Sequence, residues 1–323
     1  MNHVKIVASG SALPKKLVTN ADLEKIVDTS DEWISQRTGI KQRYILSDDE
    51  SLLDLAYQAA LQAIKNANIE PNDIGLLVVA SNTPQQVLPS TSTLLQGRLG
   101  ITDCISYDIQ AACSGFVYGL STAYYLMKSR SDLRYALVIG AEALSKVTDW
   151  KDRTTCVLFG DGAGAAVLNT CNVPGILAAD LGSDGCSAEY LEVTWGIGQG
   201  YENMAEGNRY IQMNGREVYK KSIAHFSHSI QQVMSQVDIN LDDVDWVIPH
   251  QANVRIIGAV AEKLGVSMDK FIVTVDQHGN TSSASIPLAF TQAVNQGKVK
   301  KGDTVLFVGF GAGFTRGSVL FVY

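Results

Sequence analysis

The chain is 323 residues long, with 46% hydrophobic and 18% charged residues and a formal net charge of -7. That is enough apolar material for one large core or two fused halves, and the acidic balance argues against a general nucleic-acid binder, which needs clustered cations for phosphates. The five cysteines (Cys104, Cys113, Cys156, Cys171, Cys186) form no CxxC pair and show no metal-ligand spacing, so they read as reduced thiols of a cytoplasmic protein.

The opening MNHVKIVASGSALP reads as a strand and a turn, without the long apolar core of a secretory signal. No stretch is long enough to span a bilayer. With no low-complexity segment or linker, one compact unit is expected. Residues 4–8 predict the first strand and 20–27 the start of a helix. Thr29-Ser30-Asp31-Glu32 reads as a capping box ahead of Trp33, Ile34 and Arg37. Residues 51–68 carry Leu53, Ala56, Ala60 and Ile64 at helical spacing. The continuous apolar run 74–80 fits a strand covered on both faces. A helix is expected over 89–99, ending at Gly100, then a strand over 104–109. A strand over 135–139 and a Gly-rich strand pair around 159–168 follow.

The second half repeats this order. Residues 219–237 predict a long helix, followed by Leu241-Asp242-Asp243 and a strand over 244–248, as Pro71-Asn72-Asp73 precedes 74–80. The helix 254–264 ends in Leu-Gly-Val, as the earlier one ends in Leu-Gly-Ile. Residues 271–275 match 104–109, a helix over 283–295 matches the one after Cys113, and 305–308 match 137–139. The offset stays at roughly 165–170 residues throughout. Strands alternating with helices imply parallel sheets covered by helices, and two such halves imply a pseudo-twofold molecule.

In open sheets of this kind ligands bind at strand ends, and the repeat brings three turns there. Cys113 falls where the strand-like run 107–109 meets an uncharged stretch reaching to Lys128, fit for a helix buried on all sides. Free N–H groups and the positive dipole end collect at the start of such a helix. They predict a thiolate with its pKa lowered into the range of roughly 3.5–7.5; a small core hydrophobe is the other reading of a free cysteine. His250 follows the strand 244–248, and Asn280 lies in the turn equivalent to that of Cys113. Read alone, His250 fits a satisfied turn histidine and Asn280 ordinary turn chemistry. Together, a thiol, an imidazole and a carboxamide form a nucleophilic site. His225 and His228 share a helix face without a third ligand, so no metal is expected. FGDGAG at 159–164 lacks the spacing of a dinucleotide loop and reads as a tight turn between strands.

Several motifs closely resemble β-ketoacyl-acyl-carrier-protein synthase III: AACSGF around Cys113, PHQANVRI around His250, GNTSSAS around Asn280, TSDEWISQRTGI at 29–40, FGDGAGAAVL at 159–168 and GFGAGF at 309–314. The resemblance covers nearly the whole chain. It implies an α/β thiolase fold, five layers αβαβα with an internal duplication, whose halves would be residues 1–172 with the nucleophilic cysteine and 173–323 with the histidine and asparagine. It also implies a cytoplasmic homodimer with no metal and no cofactor, acyl-CoA being a substrate. The implied reaction is the decarboxylative Claisen condensation that initiates type II fatty-acid synthesis. An acyl-CoA primer, often acetyl-CoA, acylates the cysteine, and malonyl carrier protein then loses carbon dioxide and attacks.

By that resemblance Cys113 is the nucleophile, and His250 and Asn280 donate to the malonyl thioester oxygen. The backbone N–H of Cys113 and a glycine of the Gly311 to Gly313 loop hold the acyl oxyanion. Trp33 and Arg153 would flank the adenine of CoA, with Arg37 and Asn253 along the CoA tunnel. Arg255, Lys220 and Lys263, with Gln251, Ala252, Asn253 and Val254, would meet the acidic acyl carrier protein. Biosynthetic thiolases carry a second cysteine where GFGAGF has none, and elongating synthases a second histidine where Asn280 stands. Plant-type polyketide synthases share Cys, His and Asn but lack the DEWISQRTGI opening. A condensing enzyme of secondary metabolism, with a polyketide or quinolone-like product, is the alternative; a cysteine hydrolase and a non-enzymatic scaffold are readings from other classes. Two positions depart from the family pattern. Leu88 stands where some members have a Phe that shapes the primer pocket, and Arg316 where many have Trp.

Overall fold

The computed structural model describes residues 3–204 and 209–323. Ile74–Ala80 and Tyr135–Ala143 are buried on both faces, apart from Gly75, and so lie inside a sheet rather than at its edge. In space the first sheet runs His3–Ala12, Asp161–Cys171, Tyr135–Ala143, Ile74–Ala80, Ile105–Ile109. Its first two junctions are antiparallel and its last two parallel. The second sheet runs Ile176–Gly182, Thr315–Val322, Thr304–Gly311, Trp246–Pro249, with two antiparallel junctions and then a parallel one. The order and sense repeat.

Leu52–Ala67 and Thr91–Leu99 cover the outer face of the first sheet, and Gly215–Met234 lies on the outer face of the second, with Val254–Leu264 packed against it. Gly115–Ser129 and Ser285–Asn295 touch both sheets and form the central layer. These are the five αβαβα layers expected. Each central helix is entered through a tight 3-10 turn, Ala112–Ser114 in one case and Ser282–Ala284 in the other. The first residue of each turn is a non-glycine at positive φ, Ala112 at 47° and Ser282 at 48°. L-residues rarely hold that conformation without surrounding constraint, and the two turns brace one another. The duplication therefore extends to backbone dihedrals.

Three sequence expectations are corrected. The segment 271–275 is not a strand: Phe271 makes one parallel bridge to Val247, and Val275–His278 is already helical. The Gln251 carboxamide replaces the ladder there, taking the N–H groups of Thr274 and Val275 on Oε1 and donating Nε2 to the Ile272 carbonyl. FGDGAG is not a turn between two strands but the entry to the single strand Asp161–Cys171. Its glycines make room, since a Cβ at Gly164 would lie 2.7 Å from the Cβ of Pro287 in the central helix. The cap of Asp31–Thr38 is Ser30, whose hydroxyl accepts from the Trp33 N–H, one residue later than expected. Glu32 accepts from Gln36 instead of closing a capping box.

No helix among the described residues is long and apolar enough to cross a membrane.

Candidate active site

Cys113 sits in the turn ahead of the central helix Gly115–Ser129. The hydroxyls of Ser114 and Thr315 lie 2.7 Å apart, and each lies 2.8 Å from the Ala111 carbonyl. Thr315 adjoins the glycine loop of the second half, so this triangle ties the Cys113 turn to that loop. Gly311 comes so close that a Cβ there would lie 2.4 Å from the Cys113 nitrogen.

The lowered thiol pKa expected from the helix end does not hold. Burial pushes the Cys113 thiol up to about 12; the nearby Glu142 carboxyl adds to this, and the Ser282 hydroxyl only partly offsets it. A helix end offers roughly half an elementary charge, whereas desolvation can move a buried group by about 3–5 units. Burial thus favours the protonated thiol of Cys113 over the thiolate. Alkylation of Cys113 by iodoacetamide, followed by peptide mass mapping, is expected to quicken about tenfold per pH unit between roughly pH 7 and 9. A rate already flat at neutral pH would mean that the helix end outweighs burial.

His250 follows the strand Trp246–Pro249, and its backbone N–H is anchored on the Val308 carbonyl at 2.8 Å. It is 2% exposed, and its Nδ1 lies 2.7 Å from the Ser285 hydroxyl. Burial pushes its pKa down to about 3, so the imidazole is neutral at physiological pH. Asn280, 8% exposed, is pinned by its own N–H on the Leu158 carbonyl and by the Gly160 N–H on its carbonyl. Its Oδ1 accepts the Ser282 N–H at 2.9 Å. The carboxamide is thereby oriented, leaving Nδ2 as a donor.

Cys113, His250 and Asn280 line one cavity of about 640 Å³. A second cavity of about 540 Å³ meets the first at Cys113, Phe159 and Leu191. Its wall is mixed, with Asn82, Thr83 and Gln110 beside Leu144, Val193 and Trp195. A thiol stands at the junction of two chambers, with a neutral imidazole and an oriented carboxamide on the wall of one.

The family models described as 3-oxoacyl-[acyl-carrier-protein] synthase III and its C-terminal part match residues 107–185 and 234–323. The β-ketoacyl-[acyl-carrier-protein] synthase III of Thioalkalivibrio sulfidiphilus is 48% identical over 320 residues, 99% of each chain. The chain belongs to the β-ketoacyl-acyl-carrier-protein synthase III family. It is an acyltransferase, a condensing enzyme of fatty-acid synthesis with the thiolase fold. The crystal structure of 3-oxoacyl-[acyl-carrier-protein] synthase III from Aquifex aeolicus matches at TM-score 0.93 and 44% identity, covering 99% of this chain and 100% of that one. The priming β-ketosynthase of the R1128 polyketide pathway matches at TM-score 0.94 and 33% identity, over 99% and 96%.

Around the synthase's cavity, the outer residues named by motif divide. Trp33, Arg37, Lys220, Ala252, Asn253 and Arg255 line it. Arg153 stacks on Trp33 at 4.2 Å. A ring inserted between them would need about 7 Å, two van der Waals contacts, so Arg153 must swing away to admit one. Asn253 is spent on structure: its Oδ1 caps Val254–Leu264 through the Arg255 N–H, and its Nδ2 donates to the Arg37 carbonyl. Gln251 is 1% exposed with its carboxamide fully engaged inside the protein, so it offers nothing to a docking partner. Val254 packs over Gly39. Lys263 is exposed but eight residues beyond Arg255, about 12 Å along the helix.

Gly313 lines neither cavity, and its carbonyl accepts the Asp184 N–H; Ala312 lines the second cavity in its place. Leu88 is 81% exposed and lines neither cavity, because it sits on a surface segment after Ile74–Ala80, so this chain alone does not place it in a primer pocket. Arg316 also lines neither; its guanidinium lies over Gly182. Sequence reading missed Arg216, which lines the first cavity. Its spacing of four from Lys220 on a helix was the available signal.

Proposed function

We propose that Cys113 attacks the thioester of an acyl-CoA primer, acetyl-CoA first among them. A sulfur–acyl bond forms, the bond to CoA breaks, and the thiol proton leaves with the CoA sulfur. Malonyl carrier protein then enters. Its carboxylate departs as carbon dioxide, and the electron pair of that bond moves onto the thioester oxygen as an enolate. The enolate carbon attacks the acyl-enzyme, expelling the Cys113 sulfur as a thiolate that takes up a proton from solvent, and giving a 3-oxoacyl carrier protein. No base is needed, because carbon dioxide leaves instead of a proton. What is needed are donors toward the enolate oxygen, each worth about 3–4 kcal/mol in the barrier. The observation that carries this reading is the wall shared by Cys113, a neutral His250 and an Asn280 whose Oδ1 is already tied down. The acyl oxyanion would be held by the backbone N–H of Cys113 and that of the loop following Gly311.

Arg37, Arg216, Lys220 and Arg255 ring the cavity, which supports docking of an acidic carrier protein and its CoA counterpart despite the net charge of -7. The exposed Val87–Leu88 segment supports a homodimer, in which the partner would cover this apolar patch. Residues 1–172 and 173–323 are read as the two duplicated halves. The likeness to the R1128 priming ketosynthase favours, as a second reading, a condensing enzyme of secondary metabolism with a polyketide-like product.

Intact-protein mass spectrometry after incubation with a panel of acyl-CoA primers tests this. One acyl group on Cys113, taken fastest from acetyl-CoA, is expected. Preference for a primer other than acetyl-CoA would count against the first reading, release of free acid without malonyl carrier protein would indicate a hydrolase, and no acylation at all would leave only a scaffold.

A further inference from the structure

We propose that Ser285 is a positioning residue for condensation: its hydroxyl donates to Nδ1 of His250 and so fixes the ring proton on Nε2. The proposal rests on His250 being an enolate donor, and it names what sets that role. Ser285 Oγ has two hydrogen-bonding neighbours among the described residues, His250 Nδ1 at 2.7 Å and the Gln251 backbone N–H at 3.3 Å. The Gln251 group can only donate, so it takes an acceptor site of the hydroxyl. The hydroxyl's one proton is then left for Nδ1. The opposite assignment, Nδ1–H onto Oγ, would make the hydroxyl accept twice and leave its own proton without an acceptor among the described residues. Ser285 is buried, so water would not supply one cheaply. With Nδ1 accepting, the neutral ring must carry its proton on Nε2.

The internal repeat sharpens the point. The turns Ala112–Ser114 and Ser282–Ala284 correspond, so Ser285, first residue of its helix, corresponds to Gly115, first residue of the other. A Cβ at Gly115 would lie 3.2 Å from that of Ala80 and 3.4 Å from that of Ser283, a crowded position for a side chain. The nucleophile's half thus has no side chain at this position, while the histidine's half places a hydroxyl against the imidazole. The same position has diverged to serve the second half-reaction. The wrong tautomer would present a lone pair to the forming enolate oxygen.

The test uses protein labelled with 15N in the histidine rings, with Ser285→Ala and Ser285→Thr. Wild type is expected to show His250 as the Nε2–H tautomer. Ser285→Ala should move it toward Nδ1–H or a mixture and lower condensation about 10- to 100-fold, the usual cost of losing an orienting partner. Acylation of Cys113 should stay unchanged, which also reports correct folding, and Ser285→Thr should restore both tautomer and rate. An Nδ1–H tautomer in wild type, or Ser285→Ala condensing at the wild-type rate, overturns the proposal. If His250→Ala still condenses normally, the donor reading of His250 falls instead, while the ring spectrum still decides the tautomer.

Discussion

Cys113→Ala is expected to take up no acyl group from acyl-CoA, whereas Asn280→Ala should acylate at close to the wild-type rate and lose condensation by about 10²–10³-fold. The two substitutions divide the reaction because the proposed mechanism gives the residues different halves of it: a covalent bond to sulfur in one, charge developing on a remote oxygen in the other. Asn280→Ala alone is ambiguous, since it also removes the acceptor for the Ser282 N–H, next to a residue held at positive φ. Asn280→Asp resolves this. The carboxylate keeps an acceptor for Ser282, so the turn should persist, but it replaces the Nδ2 donor with a negative charge facing the enolate. Its condensation should therefore fall below that of the alanine variant. Single-turnover acylation followed by intact mass, alongside carbon dioxide release from malonyl carrier protein, separates the steps. An Asn280→Asp enzyme condensing at the wild-type rate would remove Asn280 from the donor role.

What the sequence made legible is what local pattern encodes. Leu52–Ala67 has its Ser51 cap and left-handed Asn68 stop at the ends that periodicity indicates, and Val254–Leu264 begins and ends where expected. The duplication was legible because it recurs as order and spacing. Apart from the cap at Ser30, which is a local slip of one residue, the misreadings at Gln251, FGDGAG and Cys113 arise because a residue's partner lies outside its own segment. Gln251 follows a strand end inside a docking motif, yet its carboxamide is consumed by residues 272–275. The glycines of FGDGAG answer to a helix more than a hundred residues away. The thiol of Cys113 was read from the helix it precedes, while its pKa is set first by burial that the two halves create together. Arg216 belongs to no motif, and its helical spacing from Lys220 was the one local sign that it shares the cavity wall.

Gly311→Ala is expected to cripple acylation, by about 10²–10³-fold or more, through space rather than conformation. Gly311 is extended, with φ −155° and ψ −177°, a backbone that any residue adopts. Its added methyl would lie 2.4 Å from the Cys113 nitrogen and 2.8 Å from the Ala112 Cβ. Neither can yield cheaply, since the turn is tied by Ser114 and Thr315 to the Ala111 carbonyl. The Cys113 turn and the loop must part, and a displacement of about 1 Å at a reacting centre costs on the order of 10²-fold. Loss of an aligned oxyanion donor costs a similar factor or more. The overpacking should also lower stability by about 1–3 kcal/mol. Gly313→Ala supplies the contrast. That residue has φ 68°, and its Cβ would meet only a Thr315 methyl at 3.9 Å. It should lose about 1–2 kcal/mol to the left-handed backbone and keep most of its acylation rate. Thermal unfolding and single-turnover acylation measured on both variants would read the two costs apart. If Gly311→Ala acylates like wild type, the glycine loop does not press on the Cys113 turn, and the second half contributes nothing to the first chemical step.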